Sequence, residues 1–291
     1  ADSKPDALLT TSVLEAEGIR EPLYLTACKY MDIPVLEERK PQHVETFDLT
    51  GMEEKAQKWY HEAQVQSCKP EGETLLELQQ VGFGYLPGQQ VLQNISFQVK
   101  KGEMLSIVGK NGAGKSTMSS LICGFLTPTE GHMIYRGQDM KNWSIKERGE
   151  KIGFVMQSPN QMISKPMIFD EVALGLVIRQ IPEAEIKERV NQVLKICGLY
   201  EMRNWPVSAL SFGQKKRVTI ASILVMEPEM MILDEPTAGQ DYRHYTEIME
   251  FLKKLNQEAG ITIMMITHDM HLMLEYTPRA LVFCDGQLIA D

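Results

Sequence analysis

The stretch GKNGAGKST, Gly109 to Thr117, places glycines, a lysine and a hydroxyl in the order G-x-x-x-x-G-K-[ST]. Residues of these types at this spacing hold a polyphosphate. Gly109, Gly112 and Gly114 let backbone N–H groups crowd around phosphate oxygens, where a Cβ would obstruct. Lys115 offers a compact positive charge to the β- and γ-phosphates, and the Ser116 hydroxyl can ligate Mg²⁺. Asn111 and Thr117 complete the candidate set in this loop.

A second run supplies carboxylates. EMMILDEP carries four apolar residues, Met230 to Leu233, into Asp234 and Glu235. Open α/β sheets bind ligands at the C-terminal ends of their strands, so both acids are expected there. Asp234 suits Mg²⁺, directly or through water. Glu235 points elsewhere and can polarise an attacking water. Gln157 follows the apolar run Ile152 to Met156; its amide can contact both Mg²⁺ and water, while alone it reads as an ordinary loop glutamine. His268 closes the run Ile261 to Thr267; alone it reads as a capping or surface histidine, and a place against the γ-phosphate is the more economical reading than a metal site. His268 and His271 three residues apart, without further ligands, are weak evidence for a metal site of their own.

LSFGQKKR, Leu210 to Arg217, reads as a helix start. Ser211 and Gln214 form a capping box, and Gly213 leaves the first turn bare. A helix N-terminus without bulk is a place for an anion.

These groups need strands and helices to hold them. TLLELQQVGFGY and VLQNISFQV alternate as β-strands do, with Ile95, Phe97 and Val99 on one face. MLSIVG, KIGFVM, MMILDEP, ITIMMITH and RALVFCDG are apolar strands separated by helical segments. The helix opened by the phosphate loop is expected to face inward with Met118, Leu121, Ile122 and Phe125. A helix over Tyr242 to Ala259 carries Tyr245, Ile248, Met249, Leu252 and Leu255 on one stripe, and Gly260 stops it. Met230, Met231, Met264 and Met265 are expected to fill gaps inside buried strands. The pattern predicts an α/β fold with a mostly parallel sheet covered on both faces.

Residues 1–72 differ from 73–291. The first part holds short helical pieces, Val13 to Gly18 and Glu53 to Gln66, and a polar stretch Glu37 to Glu73 that reads as a linker. The chain has 291 residues, is 43% hydrophobic and 24% charged, and has material for a substantial core. A net charge of -9 weighs against a dedicated nucleic-acid binder. Five scattered cysteines without C-x-x-C spacing indicate neither a disulfide framework nor a zinc site, which suits a reducing compartment. The residues given show no secretory leader and no apolar run approaching the roughly 18 residues that span a bilayer. A membrane role is expected to run through a partner.

The order phosphate loop, Gln157, LSFGQ, MMILDE and His268 resembles the ATP-binding cassette (ABC) family over Thr74 to Asp291. The resemblance implies a P-loop NTPase fold with an antiparallel β subdomain and a helical subdomain carrying the signature. It implies ATP and Mg²⁺ as ligands and two cassettes facing head to tail around composite sites. Tyr85 resembles the aromatic that stacks on adenine, and Gly109 to Thr117 looks like the Walker A loop. Gln157 resembles the Q-loop residue, Asp234 the Walker B acid, Glu235 the catalytic carboxylate and His268 the switch histidine. Ser211, Gly213 and Gln214 match signature positions that touch nucleotide held by the other cassette, and Asp241 looks like the D-loop aspartate. Two departures stand out. Phe212 replaces the commoner glycine, and Gln240 stands where leucine is usual.

Within the family, QSPNQMISKPMIFDEVALGLVIRQIP resembles the region that receives a membrane partner, in the form seen in energy-coupling-factor importers of vitamins and metals. GIREPLYLTACKY, Gly18 to Tyr30, resembles the connector of tandem ATPases in that group. The chain closes with GQLIAD and opens with ADSKPDALL, which implies the second cassette of a longer tandem protein, with Ala1-Asp2 the tail of a preceding one. Such relatives serve uptake of thiamine precursors such as hydroxymethylpyrimidine. The expected function is an ATPase (ATP + H2O to ADP + phosphate) coupled to import. Its expected place is the cytoplasmic face of the cell membrane, on integral membrane subunits. The alternative is a soluble ABC ATPase of nucleic-acid repair or translation; no nucleic-acid partner is expected.

Overall fold

The computed structural model describes residues 4–17, 19–62, 72–86 and 88–291. Ala1-Asp2, Gly18, Gln66 and Cys68 lie outside them, as do the ends of the expected segments that include these residues. The described residues fall into two compact units, one drawn from Ala1–Ser67 with Gly239–Thr246, the other from Cys68–Ala238 with Glu247–Asp291.

The smaller unit contains α1 (Pro5–Leu9), α2 (Val13–Ala16), α3 (Leu23–Tyr30) and α4 (Glu53–Glu62). Leu25, Cys28, Ile33, Phe47 and Met52 form its buried cluster, so the polar stretch from Glu37 onward contributes two apolar anchors. The Arg20 guanidinium lies 5.2 Å from the ring centre of Tyr242 and 4.3 Å from that of Tyr245.

The larger unit carries two sheets. β1 (Thr74–Leu86) and β2 (Gln89–Lys100) form an antiparallel hairpin, with Leu78 opposite Phe97. β4 (Glu130–Tyr135) and β5 (Gln138–Asp139) extend it to four strands in the order β2-β1-β4-β5. β3 (Met104–Gly109), β6 (Ile152–Val155), β7 (Met230–Asp234), β8 (Thr262–Thr267), β9 (Arg279–Cys284) and β10 (Gln287–Ala290) build the second sheet. Its order is β10-β9-β3-β8-β7-β6. Only the β9–β10 pair is antiparallel; the other pairs are parallel.

The central strands are apolar because both faces are covered. All six residues of β8 are buried, and Met230, Met231, Met264 and Met265 are each 0% exposed. Met264 sits opposite Leu105 on one side and Ile232 on the other. Met264→Ala should therefore lower the unfolding free energy by about 2–5 kcal/mol, the cost of truncating a buried methionine, measurable by chemical denaturation.

α5 (Lys115–Cys123) follows β3 and buries Met118, Leu121 and Ile122. Phe125, expected on this inner face, is instead 54% exposed. Gly124 ends the helix at φ +82, which turns the next residue off the stripe. Arg148, on α6 (Ile145–Gly149), donates to the Leu121 and Ile122 carbonyls at the far end of α5. α7 (Pro159–Met162), α8 (Ile168–Ile178), α9 (Glu183–Ile196) and α10 (Phe212–Leu224) form the helical part between β6 and β7. α11 (Tyr242–Ala259) buries Tyr245, Ile248, Met249, Leu252 and Leu255, and Gly260 follows it at φ +64. α12 (Met270–Tyr276) is capped by Asp269.

Candidate functional site

Parallel pairing of β3, β8, β7 and β6 brings their C-terminal ends to one edge. The loop after β3, Gln157 after β6, Glu235 after β7 and His268 after β8 emerge there. They share a cavity of about 450 Å³ with Asn111, Gly112, Gly114, Lys115, Ser116, Thr117 and Asp234. Val91 and Ile266 supply apolar wall.

The loop geometry explains its glycines. Gly109 packs so closely on the Phe283 carbonyl that a Cβ would collide with backbone. Gly114 adopts φ +97, and a Cβ there would meet Leu92 Cδ2 at 2.5 Å. The Lys115 ammonium donates to the carbonyls of Gly109 at 2.6 Å and Lys110 at 3.1 Å. Two of its three protons thus brace the loop, and one is left for an anion.

Glu235 has φ +43, a left-handed conformation uncommon for a side chain of its size. The fold holds it there: its N–H donates to the Ile266 carbonyl at 2.8 Å. Its Oε2 accepts from the Thr267 hydroxyl at 3.2 Å, and its Oε1 lies 2.6 Å from His268 Nδ1. Strain fixed by surrounding bonds is a frequent mark of working residues. When His268 Nδ1 carries the proton towards Glu235, Nε2 is free to face solvent or substrate.

The electrostatics of the pocket are tight. Burial, with Glu235 beside it, pushes the Asp234 carboxyl upward, while Lys216 and Lys115 oppose the shift. Lys216 is wholly buried, and desolvation lowers its pKa to about 8, against the pull of Asp234 and Glu235. Its ammonium donates to the Met156 and Gln157 carbonyls. Sequence reasoning missed Lys216. The available signal was its position in α10, where Thr219, Ile220 and Leu224 at helical spacing are also buried. Thr267, which holds Glu235, was missed as well.

Ser211, Gly213 and Gln214 do not line this cavity. They form the start of α10, where the capping box is present: Ser211 N–H donates to Gln214 Oε1 at 2.9 Å, and Gln214 N–H to Ser211 Oγ at 3.3 Å. The serine oxygen accepts there, so its own proton remains to donate outward. Phe212 is 42% exposed and fills no core position. Tyr85 is also outside the cavity lining, 62% exposed, with its ring edge-on to Phe83 at 4.9 Å. Asp241 lies in the smaller unit, where its carboxylate accepts from the His244 N–H at 2.9 Å as a cap of α11.

Comparison with known proteins bears on this arrangement. The family profile described as ABC transporter matches residues 92–238. A second, described as ATP-binding cassette cobalt transporter, matches 11–83. An ABC transporter ATP-binding protein of Enterococcus faecalis is 59% identical over 100% of this chain and 51% of its own length. One from Clostridium perfringens is 55% identical with the same coverage. The chain thus spans about half the length of the curated relatives it matches. Among solved structures, CbiO1 of Clostridium perfringens, described as part of the ABC transporter complex CbiONQ, aligns with TM-score 0.72 at 37% identity. It covers 75% of this chain and 88% of its own. A dimeric ATP-binding cassette in a post-hydrolysis state, bound to ADP and phosphate, aligns with TM-score 0.65 at 31% identity, over 74% of this chain and 97% of its own. With the phosphate loop, the paired acids and the signature turn in place on this α/β framework, the chain belongs to the ABC transporter ATP-binding proteins.

Proposed function

We propose that this chain is the motor cassette of an energy-coupling-factor importer, hydrolysing ATP at sites shared with a second cassette. The single observation that carries the reading is spatial. Lys115, Ser116, Gln157, Asp234, Glu235 and His268 face one cavity, while the capped turn at Ser211 does not. A signature turn that does not line its own site is free to meet an anion held by another cassette.

ATP lies with its phosphates in the loop Gly109 to Thr117, held by backbone N–H groups and the free proton of Lys115. The residues present fit Mg²⁺. Ser116, Gln157 and Asp234 offer a hydroxyl, an amide oxygen and a carboxylate, a hard all-oxygen set. Burial first, and the neighbouring Glu235 charge second, push the Asp234 carboxyl upward, and a dication would offset both. Bound there, Mg²⁺ supplies charge neutralisation of the phosphates. Glu235 accepts the proton of the attacking water as its oxygen bonds to the γ-phosphorus and the bond to the β-phosphate oxygen breaks. His268 orients that carboxylate through the 2.6 Å contact and presents Nε2 to the γ-phosphate. Ser211 and the Gly213 amide of the second cassette close the site. Tyr85 stacks on the base, and Asp241 belongs to the loop that joins the two sites.

Among the described residues no helix is long and apolar enough to cross a membrane. The segment Gln157 to Pro182 instead exposes Val177 and Ile178, 54% and 71% accessible, which suit the apolar side of a partner's cytoplasmic helix. On this reading the cassette works at the cytoplasmic face, docked on integral membrane subunits. Relatives about twice as long as this chain leave room for the mate within one polypeptide, with residues 1–72 as connector. The cobalt-transporter description of the 11–83 match and the likeness to CbiO1 favour a metal ion as cargo; a vitamin or vitamin precursor is the other class.

The test is to purify the full-length protein from membranes with its companions. Integral membrane subunits and ATP-driven uptake of cobalt or a vitamin into vesicles are expected. A complex holding only DNA or ribosomes would reject the reading.

A further inference from the structure

Lys216 is fully buried, with 0% exposure, yet it takes no part in the chemistry set out above. A buried ammonium is stable only with its protons satisfied. Its Nζ donates to the carbonyl of Met156 at 2.8 Å and that of Gln157 at 3.0 Å. β6 ends at Val155, so these two carbonyls lie just beyond the strand. Lysine supplies there the bonds that the sheet no longer gives. The Gln157 side chain, on the same residue, lines the cavity of Lys115, Asp234 and Glu235.

The exit of the same segment is held in a matching way. Glu171 on α8 is 5% exposed, and its Oε2 accepts from Ser164 N–H at 2.8 Å, Ser164 Oγ at 3.3 Å and Lys165 N–H at 2.7 Å. A buried cation from α10 and a buried anion from α8 therefore grip the two ends of residues 156–165. α10 is the helix capped by Ser211, which lies about 7.5 Å along the axis from Lys216.

We propose that Lys216 is a positioning residue that ties the backbone of Gln157 to the helix headed by Ser211. The loop that meets the cassette's own nucleotide and the turn that meets its mate's then move as one rigid piece. The inference rests on the reading of Gln157 as a residue facing bound ATP, and the Gln157→Ala arm below tests that reading by itself.

The experiment uses the full-length protein and compares steady-state ATP hydrolysis for Lys216→Met, Lys216→Arg, Gln157→Ala and the double variant Lys216→Met/Gln157→Ala. Lys216→Met should lower kcat by about 10- to 100-fold, the effect of a misplaced group. KM for ATP should move by less than about threefold, because phosphate binding is left intact. Lys216→Arg, which keeps charge and donors, should recover part of the loss. The double variant should be no slower than Gln157→Ala, since both changes act through one group. Multiplying effects, a wild-type kcat per folded Lys216→Met protein, or an unaffected Gln157→Ala protein would each overturn the proposal. Amide exchange of the unaltered protein gives a readout that needs no variant. Residues 156–165 and 211–217 should gain or lose protection together between ADP and ATP; independent changes would overturn the rigid link.

Discussion

Glu235→Gln is expected to lower ATP turnover by ~10²–10⁴, the range for losing a general base. The amide has the shape of the carboxylate and retains an oxygen to accept from Thr267, so the strained turn at φ +43 should survive. What disappears is the proton acceptor. The substitution also removes one negative charge facing the phosphates, so ATP should bind at least as well as in the unaltered protein. The expected phenotype is an ATP-loaded dimer that does not turn over. Single-turnover hydrolysis together with size-exclusion chromatography in ATP measures both halves. Turnover within a factor of a few of the unaltered protein would show that another group takes the proton.

Lys115→Ala should act one step earlier, on nucleotide affinity. Lys115 is 7% exposed and braces the Gly109 and Lys110 carbonyls while keeping a proton for phosphate. A hydrogen bond to a charged group is worth about 1.5–3 kcal/mol. Its loss corresponds to about a 10- to 150-fold weaker Kd, and release of the two braced carbonyls adds to this. Lys115→Arg should rescue poorly, because a planar fork does not fit a site shaped for a compact ammonium. Calorimetric titration with ATP separates binding from turnover. Affinity equal to that of the unaltered protein in Lys115→Ala would remove the loop from the nucleotide site.

The strands were legible because burial on both faces leaves an apolar run, as in Met104 to Val108 and Met230 to Leu233. The capping box at Ser211 was legible because its two partners are three residues apart. Contacts that depend on tertiary approach were not. Nothing in the local sequence says that the carbonyls of Met156 and Gln157 will lie under Lys216, 60 and 59 positions away. The bond from Thr267 to Glu235 likewise requires β7 and β8 to be neighbours, a fact of sheet order. Phe125 was misplaced for the opposite reason: the helical period was extended past Gly124, whose left-handed backbone had already ended the helix. The buried Phe47 and Met52 were hidden in a stretch whose average polarity masks two anchors.

Arg20 spreads its guanidinium over the rings of Tyr242 and Tyr245. Those tyrosines stand at the head of α11 and share one compact unit with Arg20, so the leading residues and the start of that helix fold together. Cutting them away would remove the guanidinium that covers both rings. Any trimmed version used for crystallography or enzymology should keep the leading segment attached.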